Sequence, residues 1–203
     1  MLNMGNKSDI NKIVKNFLEV QIDCIKEIQE QSETIDKIIK IIISTKNKNK
    51  TIFTMGNGGS GSTASHFASD LQKTTILKNE NRIKSISLVD NMPLILAWAN
   101  DVSFESIFEE QLKNYIEKGD VVIAFSGSGK SKNVVNALKF AKKQGAKCIG
   151  FTGKSGGQFN NICDVIFKIQ SNDMLTIESQ HVTVSHCIIS AIRNLGKPLF
   201  RYD

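Results

Sequence analysis

The chain contains three histidines, His66, His181 and His186, in two segments that also carry carboxylates. Asp70 follows His66 by four residues, so on a helix the two side chains lie on one face about a turn apart. Glu178 precedes His186 by eight residues, which places them about 80° apart in direction and ~12 Å apart along a helix axis. Two helices that each supply a histidine and a carboxylate would form a mixed nitrogen and oxygen site suited to zinc or another divalent transition metal. The spacing alone leaves open that these residues are packed or solvated without a common ligand.

Two loops rich in glycine and serine are typical of phosphate binding. Gly56 to Thr63 follows a β-rich run, and its glycines would let the backbone and the next helix start approach an anion. Ser126 to Ser131 pairs hydroxyl donors with glycines before another helix. Either loop alone could be a tight turn between a strand and a helix. Gly129-Lys130-Ser131 matches the end of a nucleotide P-loop, but Ala124 stands where its first glycine is required, which disfavours nucleotide binding.

The elements that would position these residues follow from the hydrophobic pattern. Apolar residues at helical spacing between Ile10 and Thr45 predict two N-terminal helices with a soft boundary at Ser32. After Lys50, short β-rich runs that alternate with helical stretches predict βαβ units and a parallel sheet. The predicted strands are Thr51–Met55, Lys84–Val89, Asp120–Ser126, Lys147–Thr152 and Val165–Gln170. The predicted helices after Lys50 are Ser62–Lys73, Pro93–Asn100, Phe104–Ile116, Lys132–Gln144 and Met174–Leu195.

The simplest arrangement is an α/β fold: a doubly wound, five-stranded parallel sheet with helices on both faces and an N-terminal helical hairpin. A length of 203 residues with 40% apolar and 23% charged residues fits one globular domain over residues 1–203. We expect residues 1–48 to form the hairpin and residues 49–203 to form the α/β core.

Composition also limits the location and the partners. Apolar runs are far shorter than the ~20 residues that a bilayer requires, and Met1 to Met4 lack the apolar stretch of a signal peptide. The four cysteines are far apart and form no CxxC pair, which favours reduced thiols in the cytoplasm. The net charge of +6 comes from dispersed lysines, and basic and aromatic residues are not interleaved. We therefore expect an anionic small-molecule partner, and neither nucleic acid nor a membrane.

Taken in order along the chain, these motifs resemble the sugar isomerase (SIS) domain family. Within that family the chain is most similar to the phosphoheptose isomerases, which convert sedoheptulose 7-phosphate to D-glycero-D-manno-heptose 7-phosphate for bacterial surface polysaccharide. The resemblance implies a flavodoxin-like SIS fold, and it covers nearly the whole chain. The matching stretches are Gly56 to Ser60 with Ala64, His66 to Leu71, Asn100-Asp101, Ser126 to Val134, Thr152 to Gly157, and Ile177-Glu178 with His181 and His186.

The resemblance also implies roles for individual residues. Substrate contacts fall on Asn57, Gly58, Gly59, Ser60, Asp70, Asn100, Asp101, Ser126, Gly127, Ser128, Ser131 and Glu178. The metal positions fall on His66, Asp70, Glu178 and His186, with zinc as the expected ion. The chain departs from familiar members in having Asp70 where they carry glutamate and Glu178 where they carry glutamine, which puts the identity of the phosphosugar in question.

An aldose–ketose isomerase moves a proton between adjacent carbons through an enediol, so it needs a base and an acid. We expect Asp70 or Glu178 to be the base and His186 the acid, with His66 mainly a metal ligand. The resemblance further implies a homotetramer whose active sites lie at subunit interfaces, with the N-terminal helices as contact surface. The alternatives are an isomerase of another phosphosugar, or a non-catalytic SIS protein, either a sugar-phosphate sensor or a scaffold like the DNA replication initiator-associating protein.

Overall fold

The fold is that of a computed structural model, which describes residues 7–200. The segment Met1 to Met4, for which no signal peptide is expected, lies outside the described residues. Within residues 7–200 the chain forms five strands and eight helices. The strands are β1 (Thr51–Gly56), β2 (Lys84–Ser87), β3 (Val121–Phe125), β4 (Lys147–Gly153) and β5 (Val165–Ile169). The helices are α1 (Lys7–Gln29), α2 (Ser32–Asn47), α3 (Gly58–Lys73), α4 (Met92–Asp101), α5 (Ile107–Lys113), α6 (Lys132–Lys143), α7 (Phe159–Ile162) and α8 (Met174–Arg193).

All five strands are parallel and lie in the order β2-β1-β3-β4-β5. This is the order of flavodoxin-like doubly wound sheets, in which the chain winds outward in both directions from the β1–β3 pair. The predicted fold class is therefore confirmed. At the carboxyl end of this pair, Gly56 lies beside Phe125, so the segments that follow the two strands leave the sheet side by side.

The sheet is covered on both faces, as continuous apolar strands require. Every residue of β3 is buried, and alternate side chains point to opposite faces of the sheet. Val121, Ile123 and Phe125 join the core beneath α1, α2, α3 and α8. Val122 and Ala124 join the core beneath α5, α6 and α7. Helix α8, which carries two of the three histidines, is thus packed against the sheet centre.

The N-terminal hairpin packs on the same core. Helices α1 and α2 meet at the predicted boundary, where Gln31 caps α2 without a side-chain hydrogen bond. The Gln21 side chain donates to Thr176 Oγ1 at 3.0 Å and accepts from Gln180 Nε2 at 2.8 Å, which ties α1 to α8. The amino-terminal half of α1 is different, since its apolar side chains are exposed. These exposed residues include Ile10, Ile13, Val14, Phe17 and Leu18.

Some element boundaries differ from the sequence prediction. Helix α3 begins at Gly58 and not at Ser62, because the glycine-rich segment forms the first turn of the helix. Helix α5 is shorter than predicted, and the short helix α7 between β4 and β5 was not predicted. No helix within residues 7–200 is long and apolar enough to cross a bilayer. All four cysteines are free thiols, of which Cys24 and Cys148 are buried.

Candidate active site

The two glycine–serine segments meet at the carboxyl edge of the sheet. Because Gly56 pairs with Phe125, the loop that opens α3 and the loop from Ser126 to Ser131 start as neighbours. Ligands of doubly wound sheets bind at this kind of edge, where the winding direction reverses. The position of both predicted phosphate loops therefore agrees with a common binding site.

The start of α3 requires glycine at two adjacent positions. Gly58 has a φ of +54°, a conformation that residues with a Cβ rarely adopt. At Gly59 a Cβ would collide with the carboxylate of Glu178 from α8. The absence of a side chain at Gly59 therefore lets Glu178 lie directly against the first turn of α3.

Asn57 links the two loops through its side chain. It occupies the capping position of α3 but makes no capping hydrogen bond. Its amide instead exchanges two hydrogen bonds with the amide of buried Asn133 in α6, each 2.9 Å long. Asn133 supports a predicted site residue, although the sequence alone assigned it no role. An asparagine inside the first turn of a helix, next to a phosphate loop, was the available signal.

His66, Asp70 and His186 form a compact group between α3 and α8. Among the described residues, these three bring one nitrogen or oxygen atom each to within 4.8 Å of one another. The Nε2 atoms of His66 and His186 are 2.9 Å apart. Asp70 Oδ2 lies 3.3 Å from His66 Nε2 and 3.7 Å from His186 Nε2. The structure thus brings together three of the four predicted metal positions.

This group fits a divalent metal. In a tetrahedral zinc site with bonds of about 2.0–2.1 Å, neighbouring ligand atoms lie about 3.3 Å apart, and the three distances bracket that value. Asp70 Oδ1 accepts a hydrogen bond from Thr74 Oγ1 at 3.0 Å, which leaves Oδ2 facing the histidines. Outer partners of this kind orient metal ligands. Three protein ligands would leave one position open, as in catalytic zinc sites.

The loop from Ser126 to Ser131, here called the hydroxyl loop, borders a cavity. Ser126 Oγ lies 3.2 Å from Ser131 Oγ, and Ser128 Oγ accepts a hydrogen bond from the Lys130 N–H at 3.2 Å. A cavity of about 200 Å³ opens beside these hydroxyls. It is lined by Asn57, Ser60, Phe125, Ser126, Gly127, Ser128, Ser131, Met174 and Glu178. Seven predicted site residues therefore converge at this cavity.

Glu178, Asn100 and Asp101 lie apart from the group of His66, Asp70 and His186. Glu178 lines the cavity of the hydroxyl loop and is not part of the group of three possible metal ligands. Asn100 and Asp101 lie at the end of α4, exposed, with the Asn100 amide donating to the Asp101 carboxylate at 2.8 Å. They line neither this cavity nor the larger cavity of about 880 Å³.

A larger cavity, of about 880 Å³, lies on the other side of the α3 start. His66 and Asn57 line it together with Ser62, Ser65 and Ser69 of α3, and Asn57 thus borders both cavities. Its far wall is apolar and is contributed by Leu96 of α4, Phe104 of the segment between α4 and α5, and Ile107 of α5. The histidine group is therefore reached from an open space and is not enclosed in the core.

His181 has a different environment from the other two histidines. It is fully buried, with its ring at 5.8 Å from Phe125 and 6.1 Å from Phe151 between ring centres. Burial lowers the pKa of His181 to about 4, and the nearby Thr152 backbone offsets only part of that shift. Neither ring nitrogen has a hydrogen bond of good geometry within the described chain. His181 is a core residue, which agrees with leaving it out of the predicted site.

Comparison with known proteins identifies the class of protein first. A family profile of the SIS domain matches residues 16–153 of the chain. The chain belongs to the SIS-domain family, as the sheet order and the paired loops already indicate.

Curated relatives narrow the class further. The phosphoheptose isomerase of Aliarcobacter butzleri is 38% identical over 183 residues, which cover 90% of this chain and 96% of the relative. That of Clostridium acetobutylicum is 32% identical over 186 residues, or 88% of this chain and 94% of the relative. A phosphoheptose isomerase structure from Francisella tularensis matches with a TM-score of 0.85 at 26% identity, covering 92% of this chain and 98% of that one. Within the SIS-domain family, the chain belongs with the phosphoheptose isomerases.

Proposed function

We propose that this protein is a phosphosugar isomerase that converts sedoheptulose 7-phosphate to D-glycero-D-manno-heptose 7-phosphate through an enediol. The observation that carries the proposal is that a hydroxyl loop and the Glu178 carboxylate share one cavity, while His66, Asp70 and His186 form a group of possible metal ligands farther along α3 and α8. The relatives that match nearly the full chain are named for this activity. The protein would act in the cytoplasm and supply heptose for bacterial surface polysaccharide.

The hydroxyl loop would bind the phosphate. Ser126, Ser128 and Ser131 present hydroxyls to the cavity, and the loop leads into the start of α6, where free N–H groups favour an anion. Lys130 adds positive charge, whereas Lys132 is already paired with Glu105 at 2.8 Å. We expect Ser128→Ala to raise the Michaelis constant for the phosphosugar. An unchanged constant would contradict this placement of the phosphate.

His66, Asp70 and His186 would hold one zinc ion. When bound, the ion would supply positive charge that orients the substrate oxygens and stabilises negative charge developing on them. The sequence analysis also assigned Glu178 to the metal, and its position in the other cavity favours a different role. Metal analysis of purified protein tests this assignment, because Asp70→Asn should lose the ion and Glu178→Gln should keep it.

Glu178 would be the base that moves the proton between the two carbons. A carboxylate that holds an ion is a poor base, and Glu178 is the predicted carboxylate that lies outside the ligand group. Glu178→Gln should therefore abolish deuterium exchange beside the substrate carbonyl while the zinc content stays normal. If Glu178→Gln instead loses zinc, or Asp70→Asn keeps zinc and loses exchange, the two carboxylates have the opposite roles.

His186 would be the acid that handles the proton on the substrate oxygens. One nitrogen cannot hold an ion and donate a proton at once, so the zinc content of His186→Ala separates the two roles. If His186→Ala loses turnover but keeps zinc, His186 is the acid. If His186→Ala loses both turnover and zinc, His186 is a metal ligand. Phosphate binding should survive in either case, and Cys187→Ala, an exposed neighbour on α8, should have normal activity. Full activity in His186→Ala would refute both roles.

The decisive experiment is NMR of the protein with sedoheptulose 7-phosphate in deuterated water, with and without zinc. Formation of aldoheptose 7-phosphate with deuterium beside the carbonyl would establish the isomerase. If this substrate is inert while another phosphoketose reacts, the substrate assignment is wrong and the reaction class stands. If all are inert with a folded protein, a sugar-phosphate sensor or scaffold is the better description. The converging ionisable groups favour an enzyme, since a scaffold does not need them.

We further propose a homotetramer in which residues 1–48 form contact surface. Exposed apolar side chains on α1 and α4 support this, and α4, although mostly apolar, has no fully buried residue. Asn100 and Asp101 at the end of α4 would then complete the site of a neighbouring subunit. Light scattering coupled to size-exclusion chromatography measures the mass, and a monomer at working concentration would contradict the proposal.

A further inference from the structure

The carbonyl group of Gly127, inside the hydroxyl loop, is held by two donors from β4. The Gly153 N–H donates to it at 2.9 Å, and the Thr152 hydroxyl donates to it at 3.3 Å. Thr152 is fully buried, so water does not compete for this hydrogen bond. The carbonyl oxygen therefore points away from the cavity, toward the sheet.

This orientation determines where the next N–H group points. A trans peptide has its C=O and N–H on opposite sides, so anchoring the Gly127 carbonyl in the protein turns the Ser128 N–H the other way. Within residues 7–200, the Ser128 N–H has no protein acceptor. Because Gly127 and Ser128 both line the cavity of about 200 Å³, this N–H is available to a ligand there.

The Thr152 hydroxyl has no other use in the described structure. Valine is β-branched like threonine but has a methyl group in place of the hydroxyl, so packing in the buried strand does not by itself require the oxygen. The hydrogen bond is long for an O–H donor, whose usual range is about 2.5–3.0 Å. An anion on the Ser128 N–H would polarise the same peptide group and strengthen its carbonyl as an acceptor. The contact is thus of the kind that tightens when the site is filled.

We propose that Thr152 is a positioning residue that fixes the Gly127–Ser128 peptide so that the Ser128 N–H binds the phosphoryl group of the substrate. This inference rests on the proposed function, because it assumes a phosphosugar in the hydroxyl loop. Thr152 does not touch the substrate. It acts through the orientation of one peptide group.

The test compares Thr152→Val with two controls. Thr152→Ser keeps a hydroxyl, and Thr54→Val removes another buried threonine hydroxyl, which donates to Ala64 O at 2.8 Å and not to the hydroxyl loop. A hydrogen bond to a charged group contributes about 1.5–3 kcal/mol, so partial misalignment should raise the Michaelis constant about tenfold in Thr152→Val. The turnover number should change little. Thr152→Ser and Thr54→Val should both keep the Michaelis constant of the original protein.

Titration with inorganic phosphate, followed by the amide resonance of Ser128 in ¹H–¹⁵N NMR spectra, gives a second readout that needs no turnover. The resonance should shift strongly in the original protein and weakly in Thr152→Val. Equal shifts and equal Michaelis constants would overturn the inference while the isomerase proposal stands. If the original protein fails to isomerise any phosphosugar, the proposed function fails, and the phosphate titration still decides the role of Thr152.

Discussion

Replacing His181 with leucine should remove a pH-dependent loss of stability. The imidazole is buried between aromatic rings and its pKa is lowered to about 4, mainly by desolvation. In the unfolded chain a histidine titrates near pH 6.5. As the pH falls below about 6.5, the unfolded chain therefore binds a proton that the folded protein does not bind until the pH nears 4. Stability is highest above that pH and falls until the folded pKa is reached.

The size of the effect follows from the two pKa values. A single group with pKa values of about 6.5 unfolded and about 4 folded lowers the free energy of unfolding by about 2 kcal/mol between pH 7 and pH 5. Carboxylates also titrate toward the acid end of this range, so the total change in the original protein includes their contribution. The difference between the original protein and His181→Leu isolates the histidine.

The assay is urea unfolding at pH 7 and at pH 5, at one protomer concentration, because an oligomer's stability depends on concentration. Ile188→Val, a substitution on the same buried face of α8, is the matched control. It should cost about 0.5–1.5 kcal/mol at both pH values and leave the pH dependence unchanged. If His181→Leu loses as much stability between pH 7 and pH 5 as the original protein does, His181 is not buried in its neutral form and the reasoning fails.

Four further variants test separate parts of the structure. Gly59→Ala should displace the Glu178 carboxylate and lower turnover with little loss of thermal stability; normal turnover would contradict their close packing. Gly150→Ala should destabilise the core by about 1–3 kcal/mol in urea unfolding, since its Cβ would lie 2.5 Å from a buried phenylalanine ring. Leu96→Glu, at a side chain that is 61% exposed on α4, should reduce the mass measured by light scattering without changing circular dichroism. Asp70→Glu combined with Glu178→Gln should be more active than either single change, and independent losses in kinetic assays would argue against an exchange of roles.

Most of the fold could be predicted from the sequence because all five strands and the longer helices have a strong local signal. The buried runs of β1 and β3, each followed by glycines and a helical pattern, give the parallel sheet directly. The start of α3 was placed four residues late, because glycines were taken as a loop although Gly58 and Gly59 form its first turn. Helix α7 has only four residues, too few for periodicity to appear.

The site could be predicted only in part, since sequence spacing does not show which groups meet across elements. His66 and Asp70 were paired correctly because one helix turn separates them. Which α8 residue meets His66 and Asp70 depends on how α8 crosses α3. His186 lies close to them, whereas Glu178, two turns before His186 on α8, packs against Gly59 instead. The partners Asn133 and Thr74 were missed for the same reason, because each acts through a contact with a residue that the motifs already contained.

The two departures from familiar SIS isomerases are best understood together. Asp70 is one methylene shorter than the glutamate it replaces, yet its Oδ2 lies within 3.7 Å of both histidine nitrogens, so a short carboxylate suffices for a ligand. Thr74 binds its other oxygen, which further restricts Asp70 to that place. A base must reach the substrate carbons, and a displacement of about 1 Å can cost ~10²-fold in rate. Under the proposed roles, the longer carboxylate of Glu178, gained where such members carry a neutral amide, would supply that reach from α8. The substitutions thus fit a transfer of the base from α3 to α8 better than two independent losses.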